Sequence, residues 1–280
     1  MDSIIINREE ISLNDSQIKM IISGWGREEF ETSVVEKIIY ISDGLKVKGY
    51  LAYPGVNQNK KFPCIIWNRG GFREKGSIDK FTARGIFGQL ASWGYIVFVS
   101  QYRGNAGSEG EEYFGGDDVN DILNLIPLAN ELSFADKDIW GIEGWSRGGM
   151  MTLLTLIKNS NFKCAVLSGA ISDLKSYLEI VPERKNSYQK LFGKKFSEEI
   201  DKRTIINKVD KLPKIPYLIM HGGNDDTVAP NQSLELSKKF YDAGILHKLI
   251  IFEKGDHFLK NYRKEVDEHR RTWFDKYLKR

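Results

Sequence analysis

A chain of 280 residues, 41% hydrophobic and 28% charged, has length for one sizeable core and little for a second full domain. Lysine plus arginine exceed aspartate plus glutamate by only 41 − 38 = 3, with the signs interspersed and no basic aromatic stripe, which argues against a nucleic-acid module. No apolar run approaches the roughly 18 residues of a membrane span, and the opening MDSIIINREE lacks a basic segment ahead of an apolar core. The expectation is a protein without export signal or membrane contact, working in the cytoplasm.

Residues 1–33 read as an extension packing on the main body. They carry a short helix over 15–22, and Trp25 and Phe30 are placed to dock it. A strand over 34–41, the turn Ser42-Asp43-Gly44 and a second strand over 45–52 form a hairpin, and alternation in KVKGYLAY gives it one exposed face. The polar NQNKK closes this region. The pattern then changes to short apolar strands separated by helical stretches: strands over 62–67, 95–99, 139–143, 162–167, 217–220 and 246–252, with helices over 77–92, 117–132 and 150–157. Such alternation predicts an α/β fold, a mainly parallel twisted sheet covered by helices on both faces. The interval 172–212 is too long for a plain crossover and reads as two or three short helices, a helical insertion suited to act as a lid. Cys64 and Cys164 each sit inside a strand and read as small buried hydrophobes.

The chemistry concentrates in Gly144-Trp145-Ser146-Arg147-Gly148, between the strand ending near Glu143 and the helical MMTLLTLI. A G-x-S-x-G between strand and helix is the nucleophile elbow, a turn so sharp that glycines are needed where side chains would clash. Ser146 at its tip is the candidate nucleophile, in a strained backbone position. Its hydroxyl is inert without a base and an acid to orient that base. Of four histidines, His269 lies in a charged helix, His247 opens a strand and His221 precedes the candidate acids. His257, on the Gly-containing loop after the last strand, is the candidate base. Asp225 and Asp226 both qualify as its partner, with Gly222 and Gly223 able to supply backbone donors and the second aspartate free to cap the next helix. The backbone N–H of Arg147 and the loop at Gly70 and Gly71 are the candidate oxyanion donors. Arg69 and Trp145 are candidate substrate contacts, while Arg103 suits a salt bridge as well as a substrate.

Taken together, SDGLKVKGYLAYP, NRGGF, QYRGNAGSEG, GWSRGGM, HGGNDDTV followed by PNQS, and the GDHF loop resemble the catalytic domain of the prolyl oligopeptidase family of serine peptidases, within the α/β-hydrolase fold. The resemblance covers roughly residues 34–279. It implies that Asp225, the aspartate of the H-G-x-x-D-x-x-V pattern, is the triad acid, and that an acyl group passes from an amide or ester to Ser146 and then to water. No cofactor and no metal are implied. Many members carry an N-terminal β-propeller that has no counterpart ahead of residue 34, so size selection would fall to the 172–212 insertion, to homo-oligomerisation, or to nothing. Several members place a tyrosine before Gly-Gly-Phe to assist the oxyanion. Arg69 stands there instead, which shifts the task to a backbone N–H. No pair of glutamates for gripping a free peptide N-terminus is recognisable, which argues against a dipeptidyl peptidase. The expected substrate is a small molecule or short peptide, with a carboxylesterase for small acyl or aryl esters as the alternative.

Overall fold

The β2–β3 hairpin sets the geometry of the N-terminal half. In the computed structural model, which describes residues 3–55 and 60–279, β2 (Ser33–Ser42) and β3 (Leu45–Pro54) pair antiparallel in unbroken register from Ser42↔Leu45 to Ser33↔Pro54. Asp43 and Gly44 both have positive φ, 50° and 80°, the backbone of a two-residue turn whose twist matches that of its strands. The expected exposed face holds only for the start of β3. From Gly49 onward the strand is buried, because β5 (Ile96–Ser100) pairs with it there, and a Cβ on Gly49 would lie 2.2 Å from the Val99 carbonyl oxygen. Residues 57–59 of the polar segment expected to close the hairpin lie outside the described residues.

The chain divides into two units, Met1–Gly141 with Leu278–Arg280, and Ile142–Tyr277. In the first the strand order is β1-β2-β3-β5-β4-β6, where β1 is Ile5–Glu10, β4 Phe62–Asn68 and β6 Ala135–Trp145, the last continuing into the second unit. β1 pairs antiparallel with β2, and β4 pairs parallel with β5. The helices are α1 (Asp15–Trp25), α2 (Arg27–Glu31), α3 (Lys80–Ser92) and α4 (Asp118–Leu123). α1 starts at a capping box in which Asn14 and Gln17 exchange side-chain-to-backbone bonds. Trp25 meets Phe81 edge-on at 6.0 Å, and the Arg84 guanidinium lies 4.4 Å over the Phe30 ring. The helix expected over 117–132 stops at Leu123, and Ile126–Glu131 continues as a 3-10 turn around Pro127, which has no N–H to extend an α-helix.

In the second unit β6, β7 (Cys164–Ser168), β8 (Tyr217–Gly222) and β9 (His247–Phe252) follow one another in order, with β7–β8 and β8–β9 parallel. The helices α5 (Arg147–Lys158), α9 (Asn231–Asp242) and α10 (Arg263–Leu278) accompany them. Residues 172–212 fold as α6 (Leu174–Ile180), α7 (Pro182–Phe192), α8 (Phe196–Arg203) and a 3-10 turn, Ile205–Lys211. Pro182 begins α7 rather than merely interrupting a helix, since the first helical position has no use for an N–H. Both ends of the helical part close on Ser172, whose carbonyl accepts from the N–H groups of Ile205 and Ile206 at 2.9 and 3.0 Å. Gln232 of α9 holds the same neck, its side-chain oxygen accepting from the N–H groups of Ser172 and Asp173. The molecule is thus a mixed parallel and antiparallel sheet flanked by helices, an α/β-hydrolase fold.

Candidate active site

Parallel strands in adjacent order bring their C-terminal ends to one edge, and in the second unit this edge is knitted by backbone hydrogen bonds. The Ser146 N–H donates to the Ser168 carbonyl at 2.8 Å, and the Gly169 N–H to that of Met220 at 2.9 Å. Gly223 donates to Phe252 at 2.7 Å and Asn224 to Gly255 at 2.9 Å. The loops after β6, β7, β8 and β9 are therefore linked in sequence, carrying Ser146, Gly169, Asp225 and His257. Gly222 and Gly223 are required for this, because Cβ atoms there would lie 2.3 Å from the Gly255 carbonyl oxygen and 2.5 Å from that of Glu253.

Ser146 sits between β6 and α5 with φ 57° and ψ −123°, a conformation an L-residue adopts only under strain. A Cβ on Gly144 would lie 2.0 Å from the Gly148 carbonyl oxygen, so the turn closes on itself as expected. A third glycine, Gly149, had no role in the sequence reading; its Cβ would stand 2.3 Å from that of Ala170, just beyond β7. The signal for it was present in the doubled Gly148-Gly149. Ser146 is only half-buried. The Arg147 N–H lies in the first turn of α5, the end at which the helix dipole favours negative charge. The Arg147 side chain is buried and runs along α5 toward the Met151 sulfur.

His257 and Asp225 meet directly, Nδ1 to Oδ2 at 2.7 Å, both buried. The remaining oxygen, Oδ1, accepts from the N–H groups of Thr227 and Val228 at 2.9 and 2.8 Å. These donors, rather than the expected Gly222 and Gly223, hold the carboxylate. His221 also faces it, with Nε2 3.2 Å from Oδ2. Burial pushes the Asp225 carboxyl upward, but the bonds from His221, His257 and the Val228 N–H outweigh it and hold the group well below the usual carboxylate range. Asp226 is exposed and accepts from the Thr227 hydroxyl at 3.2 Å. It does not cap α9, which begins without a side-chain cap. The ring of His257 passes 3.5 Å from the Cβ position of Gly169, as does Asp225 Oδ2. Trp145, next to Ser146, donates its indole N–H to the His257 carbonyl at 3.0 Å. The nucleophile candidate and the histidine are thus tied from two directions.

The other histidines have local partners. His221 bonds Ser233 Oγ at 2.7 Å and the Val228 carbonyl at 2.8 Å. His247 bonds Ser237 Oγ and the Ile245 carbonyl, and His269 lies against Phe252. The first unit holds Gly70, Gly71 and Arg69 in a tight loop after β4, where Gly71 has φ 71° and a Cβ would lie 2.5 Å from the Gly76 Cα. Arg69, a candidate substrate contact, is 1% exposed; its guanidinium is packed 4.7 Å over Tyr102, bonded to the Gln101 carbonyl and 3.5 Å from Glu112. Arg103 bridges Asp121 and Asp43. Cys64 and Cys164 are buried, and burial pushes both thiols upward, leaving them as packing groups.

A strained serine at a strand-to-helix corner, on the same loop edge as an aspartate-held histidine, within an α/β-hydrolase sheet, defines a serine-hydrolase-type enzyme. Residues 83–280 match the model of the prolyl oligopeptidase family. The uncharacterized peptidase YtmA of Bacillus subtilis is 34% identical over 75% of this chain and 80% of its own length. The prolyl endopeptidase FAP of Mus musculus is 24% identical over 76% of the chain but only 28% of its own length. Pyrococcus horikoshii acylaminoacyl peptidase superposes with a TM-score of 0.76 at 24% identity, covering 97% of this chain and 45% of that one. The chain belongs to the prolyl oligopeptidase family, and it spans less than half the length of the two larger relatives.

Proposed function

We propose that the protein hydrolyses amide or ester bonds of small peptides or acylated compounds through an acyl-enzyme on Ser146. The observation that carries this reading is the commitment of His257 Nδ1 to Asp225. With the Nδ1 hydrogen directed at the carboxylate, Nε2 keeps its lone pair for the serine proton. Ser146 Oγ bonds to the acyl carbon while its proton passes to Nε2. The bond from carbon to the leaving atom then breaks, and that atom takes the proton from the imidazolium. Water repeats the sequence and releases the acid. The Arg147 N–H is the donor to the oxyanion, a contribution worth about 3 kcal/mol in such sites. The 172–212 helices act as the lid over small substrates, which are met in the cytoplasm.

A fluorophosphonate, which reacts only with an activated serine, tests the assignment. Labelling should map to Ser146, and Ser146→Ala should abolish it and lower turnover by about 10⁶-fold while the fold is kept. Labelling at another residue, or turnover unchanged in that variant, sinks the reading. An amide and an ester sharing one acyl group distinguish a peptidase from a carboxylesterase; turnover of the ester alone would select the latter.

A further inference from the structure

Phe258 follows the proposed base, and 63% of it is exposed. Its ring packs edge-on against the His257 imidazole, with centroids 5.3 Å apart and planes at 73°. The backbone around it is fixed on both sides. The carbonyl of His257 is held by the Trp145 indole. On the other side Leu259 is 1% exposed although its backbone is left-handed, φ 50° and ψ 37°, a conformation unfavourable for a branched residue. Gly255 makes room for it, since a Cβ there would lie 2.5 Å from Leu259 Cδ2. The loop accepts a strained leucine, turns that side chain inward, and leaves the phenylalanine ring outside beside the imidazole. Lys260 lies 5.4 Å over the same ring and covers it only in part.

The chemistry of the imidazole says what belongs next to that ring. The histidine hands its proton to the leaving atom, so a group packed on the imidazole borders the leaving-group half of the substrate. We propose that Phe258 is a specificity-determining residue that receives an apolar, above all aromatic, leaving group. The substrates this defines are acylated amino compounds or short peptides whose residue after the scissile bond carries an aromatic or aliphatic side chain. The inference rests on the reading of Ser146 and His257 given above.

Two substrates with a common acyl group test it, one releasing phenylalanine amide and the other glycine amide, whose amines have similar intrinsic reactivity. The wild type should favour the phenylalanine amide in kcat/KM, Phe258→Ala should reduce that preference about tenfold, mainly through KM, and Phe258→Leu should retain most of it. Fluorophosphonate labelling runs alongside, because its fluoride leaving group makes no use of an apolar surface. A wild type that does not label at Ser146 sinks the site reading and this inference together. Labelling at Ser146 with a preference absent, or unchanged in Phe258→Ala, overturns the inference alone. Labelling that falls as far as amide hydrolysis also overturns it, since the ring would then be acting on the imidazole and not on the substrate.

Discussion

The buried pair Glu143–Arg270 permits a worked perturbation of the strand that leads into the elbow. Glu143 lies on β6 three residues before Ser146, with its side chain 1% exposed, and receives two hydrogen bonds from the Arg270 guanidinium of α10 at 2.6 and 2.9 Å. Arg270→Met keeps most of the side-chain volume but leaves the carboxylate in an apolar site without its cation. Removing one partner of such a pair costs about 3–5 kcal/mol, which at this chain length lowers the melting temperature by roughly 6–10 °C at about 2 °C per kcal/mol. Burial already raises the Glu143 carboxyl above its ordinary 4.5 despite the arginine, and the variant raises it further. A carboxyl raised in the folded state stabilises fully below its unfolded value, and this contribution is lost as pH rises through the folded value. The deficit of Arg270→Met should therefore be smaller at pH 5 than at pH 8. Glu143→Leu combined with Arg270→Met should recover most of the loss, since an apolar pair removes the stranded charge. Thermal unfolding by circular dichroism at the two pH values reads all three. A deficit under about 1 kcal/mol, or one equally large at both pH values, would refute the reasoning.

Other variants probe the loop edge. Asp225→Asn should keep the fold near neutral pH and lower kcat by about 10⁴-fold, because an amide does not impose the required imidazole tautomer. The same carboxyl is held below its ordinary 3.8, so its contribution to stability is present above that value and is lost as pH falls through the folded one. Acid titration of unfolding should accordingly be shallower in Asp225→Asn. Gly149→Ala places a methyl 2.3 Å from the Ala170 Cβ and should cost about 1–3 kcal/mol in denaturant unfolding through overpacking.

What the sequence disclosed depended on how local each signal was. The elbow is a strand, a turn and a helix in one continuous stretch, Ala135–Lys158, and the glycines of its turn answer steric demands internal to that stretch, so it was readable without the rest of the chain. His257 followed from its place after the last strand. β1 was missed because five of its six residues are exposed. An edge strand wetted on both faces carries no alternation, and its pairing with β2 is set by a partner nearly thirty residues on. The donors to Asp225 were misjudged for a related reason: the glycines beside it serve close contact between the β8 and β9 loops, a constraint invisible from β8 alone. Arg69 looked available as a loop arginine after a strand, and only the fold brings Glu112 and Tyr102 to it. Long-range pairing of charge is the part of a site that spacing cannot reveal.

The surroundings of Asp225 explain why this aspartate, and not its neighbour, suits the proposed chemistry. His221 Nε2 faces two acceptors, the Val228 carbonyl at 2.8 Å and Asp225 Oδ2 at 3.2 Å. Nε2 must therefore carry the hydrogen, which leaves His221 Nδ1 to accept from the Ser233 hydroxyl. Asp225 thus takes two backbone N–H groups on one oxygen and two imidazole N–H groups on the other. A carboxylate so supplied keeps its charge when buried and has no lone pair directed at solvent. Its hold on His257 Nδ1 then fixes the ring rather than merely touching it. Asp226, one residue on, is exposed and accepts from the Thr227 hydroxyl. It could offer the imidazole neither a fixed direction nor an environment dry enough for the bond to matter. The pair Asp225–His257 is legible as one unit only once His221 is counted with it.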